Sequence, residues 1–165
     1  MTKSIHSLPF CADEQARILI LGSMPGEASL KQQRYYAHPR NLFWELMGGL
    51  IGAGRHLPYE MRLALLRKYH IALWDVVRSC RRRRSMDSTI TDVTPNNIKG
   101  LFEVSPQIHT IFFNGQAAAQ LFRTLVLSEL DRPLILITLP STSPANASIS
   151  LREKEKAWRQ IATAC

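Results

Sequence analysis

Four short apolar runs, at residues 17–22, 70–77, 108–113 and 134–139, set the frame of this chain. Each is rich in branched aliphatic or aromatic residues, and each is separated from the next by stretches with helical spacing. Strands that read as near-continuous apolar runs are buried on both faces, and strands that alternate with helices pair in parallel. The order therefore predicts an α/β fold: a three-layer α/β/α sandwich with a central four-stranded parallel sheet. No repeat, low-complexity stretch or linker divides the chain, so residues 1–165 read as one domain, with 1–16 as a loose lead-in.

The helices follow from their punctuation. Asn41 to Ile51 reads as a helix with Phe43, Trp44, Met47 and Leu50 inward, ending at Gly48-Gly49 or Gly52. Pro58 suits a first helical position ahead of Tyr59 to Tyr69. Arg78 to Asp92 reads as a polar loop, after which Thr94 caps and Pro95 opens a short helix to about Val104. A helix follows Gly115 to about Leu127. Ser150-Leu151-Arg152-Glu153 is a capping-box pattern for a last helix to about Ala162, with Leu151, Trp158 and Ile161 inward.

Composition excludes some classes of function. No apolar run reaches the roughly 20 residues of a membrane span, and the first residues lack the apolar centre of a signal peptide. Cys11, Cys80 and Cys165 are odd in number and widely spaced, so neither a disulfide framework nor a CxxC metal pair is expected. A reducing, cytoplasmic setting is the simplest expectation. The five histidines do not fall at metal-ligand spacing, and no metal or other cofactor is expected. The net charge of +8 is unevenly placed: residues 31–84 hold twelve Lys and Arg against three acidic residues. Such a local excess suits either a docking face for a polyanion or a solvated surface.

Small and polar residues gather where the four runs stop. They are Gly22-Ser23-Met24-Pro25-Gly26, then Asp75 with Arg78 and Arg81-Arg82-Arg83-Arg84, then Asn114-Gly115, then Pro140-Ser141-Thr142-Ser143-Pro144-Ala145-Asn146. In a parallel sheet these ends share one rim, which is where open α/β sheets bind ligands. Walker, GxGxxG, HExxH and GxSxG signatures are absent.

Leu21 to Gly26, Tyr35-Tyr36-Ala37-His38-Pro39-Arg40-Asn41-Leu42-Phe43-Trp44, and Leu139 to Asn146 together resemble the uracil-DNA glycosylase superfamily, most closely its hypoxanthine-DNA (deoxyinosine) glycosylase branch. The likeness runs over nearly the whole chain. It implies a monofunctional enzyme that flips a deaminated base out of DNA and removes it by hydrolysis, hypoxanthine first, with uracil or xanthine next. DNA is then the partner, the chain a monomer, and the setting the cytoplasm at the nucleoid. Where the mismatch-specific branch carries a catalytic asparagine in the first loop, this chain has Met24; the hypoxanthine branch shows the same loss of the asparagine. The resemblance moves the catalytic role to Asn41.

The same likeness implies base-binding roles for Gly22, Ser23, Met24, Pro25, Tyr36, His38, Asp75 and Asn114. Tyr36 would carry the extruded base on its ring. Arg81, Arg82, Arg83 and Arg84, with Ser141, Thr142, Ser143 and Pro144, would contact DNA. No lysine stands in these segments to form a Schiff base, so the strand would be left intact. Each residue also has a plainer reading. Asn41 is a good helix cap, Asp75 a buried structural carboxylate, and Tyr36 a rim tyrosine. The arginine run reads equally as a solvated loop, and residues 141–146 as a stiff turn. Two other functions remain open on the residues alone: a damage-binding module without catalysis, and an enzyme acting on free nucleosides or nucleotides.

Overall fold

The computed structural model describes residues 3–165. Its centre is a parallel sheet formed by β2 (Ile18–Gly22), β3 (Ile71–Asp75), β6 (Thr110–Asn114) and β7 (Ile135–Leu139), in the order β3-β2-β6-β7. β2 and β3 are buried at every position, so both faces of the sheet are covered at these strands, while the edge strand β7 is partly exposed. Helix α3 (Tyr59–Lys68) packs against β3, and α5 (Gln116–Leu125) against β6 and β7. Helix α6 (Leu151–Trp158) packs on β7 and leads into α7 (Gln160–Ala164). The expected four-stranded parallel sheet flanked by helices is present.

The first strand of the sheet lies inside it. From β2 the chain moves to β3 on one side, then crosses to β6 on the other. That reversal leaves a crevice at the carboxyl ends of β2 and β6, the usual ligand position in such sheets. Helix α2 (Phe43–Ile51) enters this region with Phe43 and Trp44 fully buried and ends at Gly52, whose φ of +78° favours glycine.

Several expectations need correction. A second sheet, antiparallel and ordered β1-β4-β5, joins β1 (Ser4–His6), β4 (Val77–Arg81) and β5 (Thr91–Pro95). The run read as one strand over 70–77 thus changes sheet at Val76, and much of the supposed loop 78–92 is a hairpin. β4 alternates buried Val77 with exposed Arg78, which hid it among arginines. The lead-in is not loose in the described residues. β1 pairs with β4, Cys11 bridges Leu73, and the Trp74 indole donates to the Leu8 carbonyl at 3.0 Å. Residues 1 and 2 of that expectation lie outside the described residues.

Asn97, not Thr94, caps helix α4 (Ile98–Val104), accepting from the Gly100 amide at 3.0 Å, while Pro95 ends the edge strand β5. Residues 27–32, which the sequence pattern assigns to no element, form helix α1 (Glu27–Gln32). Ser150 caps α6 as expected, accepting from the Glu153 amide, but Leu151 is 43% exposed rather than inward.

Candidate active site

A cavity of about 150 Å³ opens at the carboxyl ends of the parallel strands. Gly22, Ser23, Met24, Pro25, Tyr36, His38, Asn41, Asp75 and Asn114 line it, together with Ser141, Thr142, Ser143 and Pro144. The chain thus brings to one cavity every residue expected to touch a base and all four of the small-residue loop. An open groove continues from the mouth between Arg84–Ser88 and Thr138–Asn146.

The wall that carries Tyr36 and Asn41 is rigid for reasons visible in its bonds. Tyr36 has a φ of +54°, a left-handed conformation that is costly for a residue with a β-carbon. Its ring stacks on buried Phe43, with centroids 4.1 Å apart. The Arg55 guanidinium donates to the carbonyls of His38 at 2.8 Å, Asn41 at 2.9 Å and Tyr36 at 3.4 Å. One cation therefore bolts down the whole loop. Asn41 Oδ1 accepts from the Phe43 amide at 3.0 Å, a turn one residue ahead of Leu42, which is the N-cap of α2, so Asn41 precedes the cap rather than forming it. That bond also fixes which way the amide faces, and it leaves one Oδ1 lone pair and the NH2 group uncommitted. His38 Nδ1 accepts from the Arg40 amide at 3.1 Å, which in the neutral ring puts the proton on Nε2.

The first loop is held from behind. Arg82, whose side chain is wholly buried, donates to the Pro25 carbonyl at 2.7 Å and the Met24 carbonyl at 3.4 Å. Peptide planarity then turns the Gly26 N–H the opposite way from that pinned Pro25 oxygen. Ser23 Oγ donates to Asp87 at 2.8 Å, and Met24 packs its thioether against Val77 and Cys80.

Asp75 is 3% exposed and pairs in register with Gly22. A β-carbon at Gly22 would collide with its carboxyl, so glycine is required at that position. Burial, and then the nearby Asp87 carboxylate, push the Asp75 carboxyl up to about 7 against the opposing pull of Arg82. Burial and Asp75 likewise drive the Tyr36 phenol upward, keeping it protonated. Asn114 exchanges two hydrogen bonds with Thr142, which spends most of its amide on holding the 141–144 loop.

The chain matches the uracil DNA glycosylase superfamily over residues 8–162. It belongs to that superfamily. Proteins named hypoxanthine DNA glycosylase from Methanosarcina acetivorans and Methanosarcina barkeri are 37% and 33% identical to it, each match spanning 94% of this chain and 96% of the relative. A solution NMR structure from Methanosarcina acetivorans, described as a candidate uracil DNA glycosylase, aligns with a TM-score of 0.80 at 35% identity, over 96% of this chain and 99% of that one.

This superfamily member does not use its arginine run as a unit. Arg81 pairs with Asp92 at 3.3 Å, Arg82 is buried, and Arg83 and Arg84 are exposed. Arg82 is too enclosed to meet a phosphate, and Thr142, 1% exposed, is too enclosed to meet DNA; both expectations need correction. Arg84 borders the groove outside the cavity. Three contributors were missed: Arg55, Asp87 and Ser85, whose Oγ accepts from the Glu27 amide at 2.9 Å. Asp87 and Ser85 follow the arginine run within a few residues, which was a usable signal; Arg55 had none. Among the described residues no cluster of His, Cys, Asp or Glu is arranged to hold a metal ion, and no helix is long and apolar enough to cross a membrane.

Proposed function

We propose that this protein is a monofunctional DNA glycosylase that extrudes a deaminated base into the cavity and hydrolyses its N-glycosidic bond, with hypoxanthine as the preferred base. The convergence of Asn41, Tyr36 and the first-loop residues on one cavity carries this reading. Its size supports it too: at about 150 Å³ it falls below the roughly 300 Å³ at which small-molecule pockets begin, and suits a nucleobase better than a free nucleotide.

The chemistry asks little of the side chains. The C1′–N bond breaks with its electron pair passing to the base, and the sugar passes through an oxocarbenium-like state. Water then adds at C1′, and the proton it loses passes to the departed base anion, directly or through solvent. The barrier falls when the departing base is stabilised as an anion and the water is held in line. Asn41, oriented by the Phe43 amide, holds that water through its free lone pair or NH2 group. Tyr36, braced by Phe43, offers a stacking face worth about 1–3 kcal/mol, comparable to the cost of unstacking a nucleotide. Ser141, Ser143 and Pro144 sit at the mouth to meet the DNA backbone, and Arg83 and Arg84 reach phosphates farther out. The protein acts as a monomer in the cytoplasm, at the nucleoid.

Duplexes bearing inosine, uracil, xanthine or mismatched thymine, incubated with the protein and a chelator and then treated with alkali, test this. Cleavage first and fastest at inosine is expected. Tight inosine-dependent binding with no released base would instead favour a damage-binding module, and release from free deoxyinosine would favour a nucleoside enzyme.

A further inference from the structure

Helix α6 grips the loop after β7 at both ends. Trp158 Nε1 donates to the Pro140 carbonyl at 2.9 Å, and Lys154 Nζ donates to the Asn146 carbonyl at 2.9 Å. The two side chains stand four residues apart, so they share one face of the helix. Both are fully buried. Between these two holds Asn146 closes the loop on itself: its backbone N–H donates to the Ser143 carbonyl at 3.0 Å and its side chain to the Ser141 carbonyl at 3.1 Å. Trp158 also packs edge-on against Phe43, the ring that braces Tyr36. One helix face thus sets both the cavity wall and the loop at its mouth.

Stability alone would not put a lysine on that face. Among the described residues the Lys154 ammonium pairs with no carboxylate, and its one hydrogen bond goes to a neutral carbonyl. Burial pulls its pKa below the ordinary lysine value. Taking a cation out of water costs more than one bond to a neutral acceptor returns. A methionine would fill a similar volume without that cost. The gain from lysine lies in what the ammonium holds, which is the foot of a loop that borders both the cavity and the groove.

We propose that Lys154 is a positioning residue for base extrusion, clamping residues 140–146 so that the loop meets the duplex already in shape. The inference rests on the cavity receiving a flipped base and adds what keeps the loop ready for it. A loop that must order itself on contact subtracts that ordering from the binding free energy, which leaves less to drive a base out of the stack. Lys154 itself lines neither cavity nor groove and acts through Asn146.

Lys154→Met and Lys154→Gln separate holding from packing. Both fill the site, but only the glutamine amide can still donate to Asn146. Duplexes carrying 2′-fluoro-2′-deoxyinosine beside 2-aminopurine resist hydrolysis, and their fluorescence rises when the base leaves the stack. Lys154→Met is expected to unfold at the wild-type denaturant midpoint or above it, because water reaches the half-buried Asn146 once the ammonium is gone. Its affinity for undamaged duplex should match wild type. Its extrusion equilibrium and its single-turnover excision of inosine should each fall about tenfold. Excision of inosine from an unpaired bulge, where little extrusion remains to be done, should fall much less. Lys154→Gln should recover most of the loss.

A wild-type extrusion signal that Lys154→Met leaves intact overturns the proposal, and the glycosylase reading stands. A loss that follows a lowered midpoint, or that is as large on the bulge, overturns it too, because either marks a purely structural role. Extrusion that Lys154→Met weakens, with no base released by wild type, supports the positioning role and sinks the glycosylase reading alone. No extrusion by wild type sinks both.

Discussion

Asn114 and Thr142 exchange two hydrogen bonds, Asn114 Nδ2 donating to Thr142 Oγ1 and Thr142 N donating to Asn114 Oδ1, each at 2.9 Å. The Thr142 carbonyl also accepts from the Leu42 amide at 3.1 Å. One buried threonine thus joins the end of β6, the loop after β7 and the loop that carries Asn41. Thr142→Val keeps the shape and removes the hydroxyl, leaving an Asn114 N–H without its acceptor. We expect a loss of about 1–3 kcal/mol in thermal unfolding. Single-turnover excision should fall further than DNA affinity, because the loops lose their mutual register while the outer arginines stay in place.

Asn41 has two jobs that substitution separates. Asn41→Ala removes both the bond to the Phe43 amide and the side-chain amide and should cost about 1 kcal/mol of stability. Asn41→Ser keeps an oxygen able to accept from the Phe43 amide and loses the side-chain amide. Its melting temperature should stay near that of wild type while excision of inosine drops about 100-fold or more, as when one oriented polar group is lost from a reacting centre. Wild-type excision by Asn41→Ser would take Asn41 out of the reaction.

The arginines after β4 should divide by burial. Arg83→Ala and Arg84→Ala should leave unfolding unchanged, and each should lower the salt dependence of DNA binding by close to one unit of slope. Arg82→Ala strands the buried Met24 and Pro25 carbonyls and should cost about 2–5 kcal/mol. Its salt slope should not move. Denaturant titration and binding at several salt concentrations separate the two behaviours.

Asp75 should make the fold less stable as pH rises. Its carboxyl is raised from 3.8 to about 7 in the folded chain. Between those values the folded state keeps a proton that the unfolded chain releases, so stability falls across that window and levels off above it. Asp75→Asn has no such proton. It should unfold like wild type near pH 4 and be more stable than wild type at pH 8, by an amount on the order of a few kcal/mol. A difference that stays flat with pH would mean that Asp75 is ionised in the native state throughout.

The parallel sheet and the cavity lining were legible because they rest on features that survive in one dimension. Ile18 to Leu21 and Ile111 to Phe113 are apolar at consecutive positions, and topology brings their ends to one rim whatever the loops do. The antiparallel sheet was not legible, because β4 is half exposed and its alternation is submerged in charge. Thr94 and Asn97 are both cap formers three residues apart; pairing of Thr94 with Ser79 in the sheet decided between them, and no local pattern shows that. Buried guanidiniums are the hardest case. Arg55 and Arg82 have the same letters as their exposed neighbours, and only the carbonyls that converge on them in space mark them as struts.

In the second sheet Ser4, Ile5 and His6 lie opposite Arg81, Cys80 and Ser79. The chain's opening residues and the strand that delivers Arg82 therefore form one ribbon. Trimming through Ser7 would bare a row of backbone donors and acceptors along β4 and invite association between molecules there. The same cut would slacken the anchor behind Pro25, so residues far from the cavity help decide how firmly its first loop is gripped.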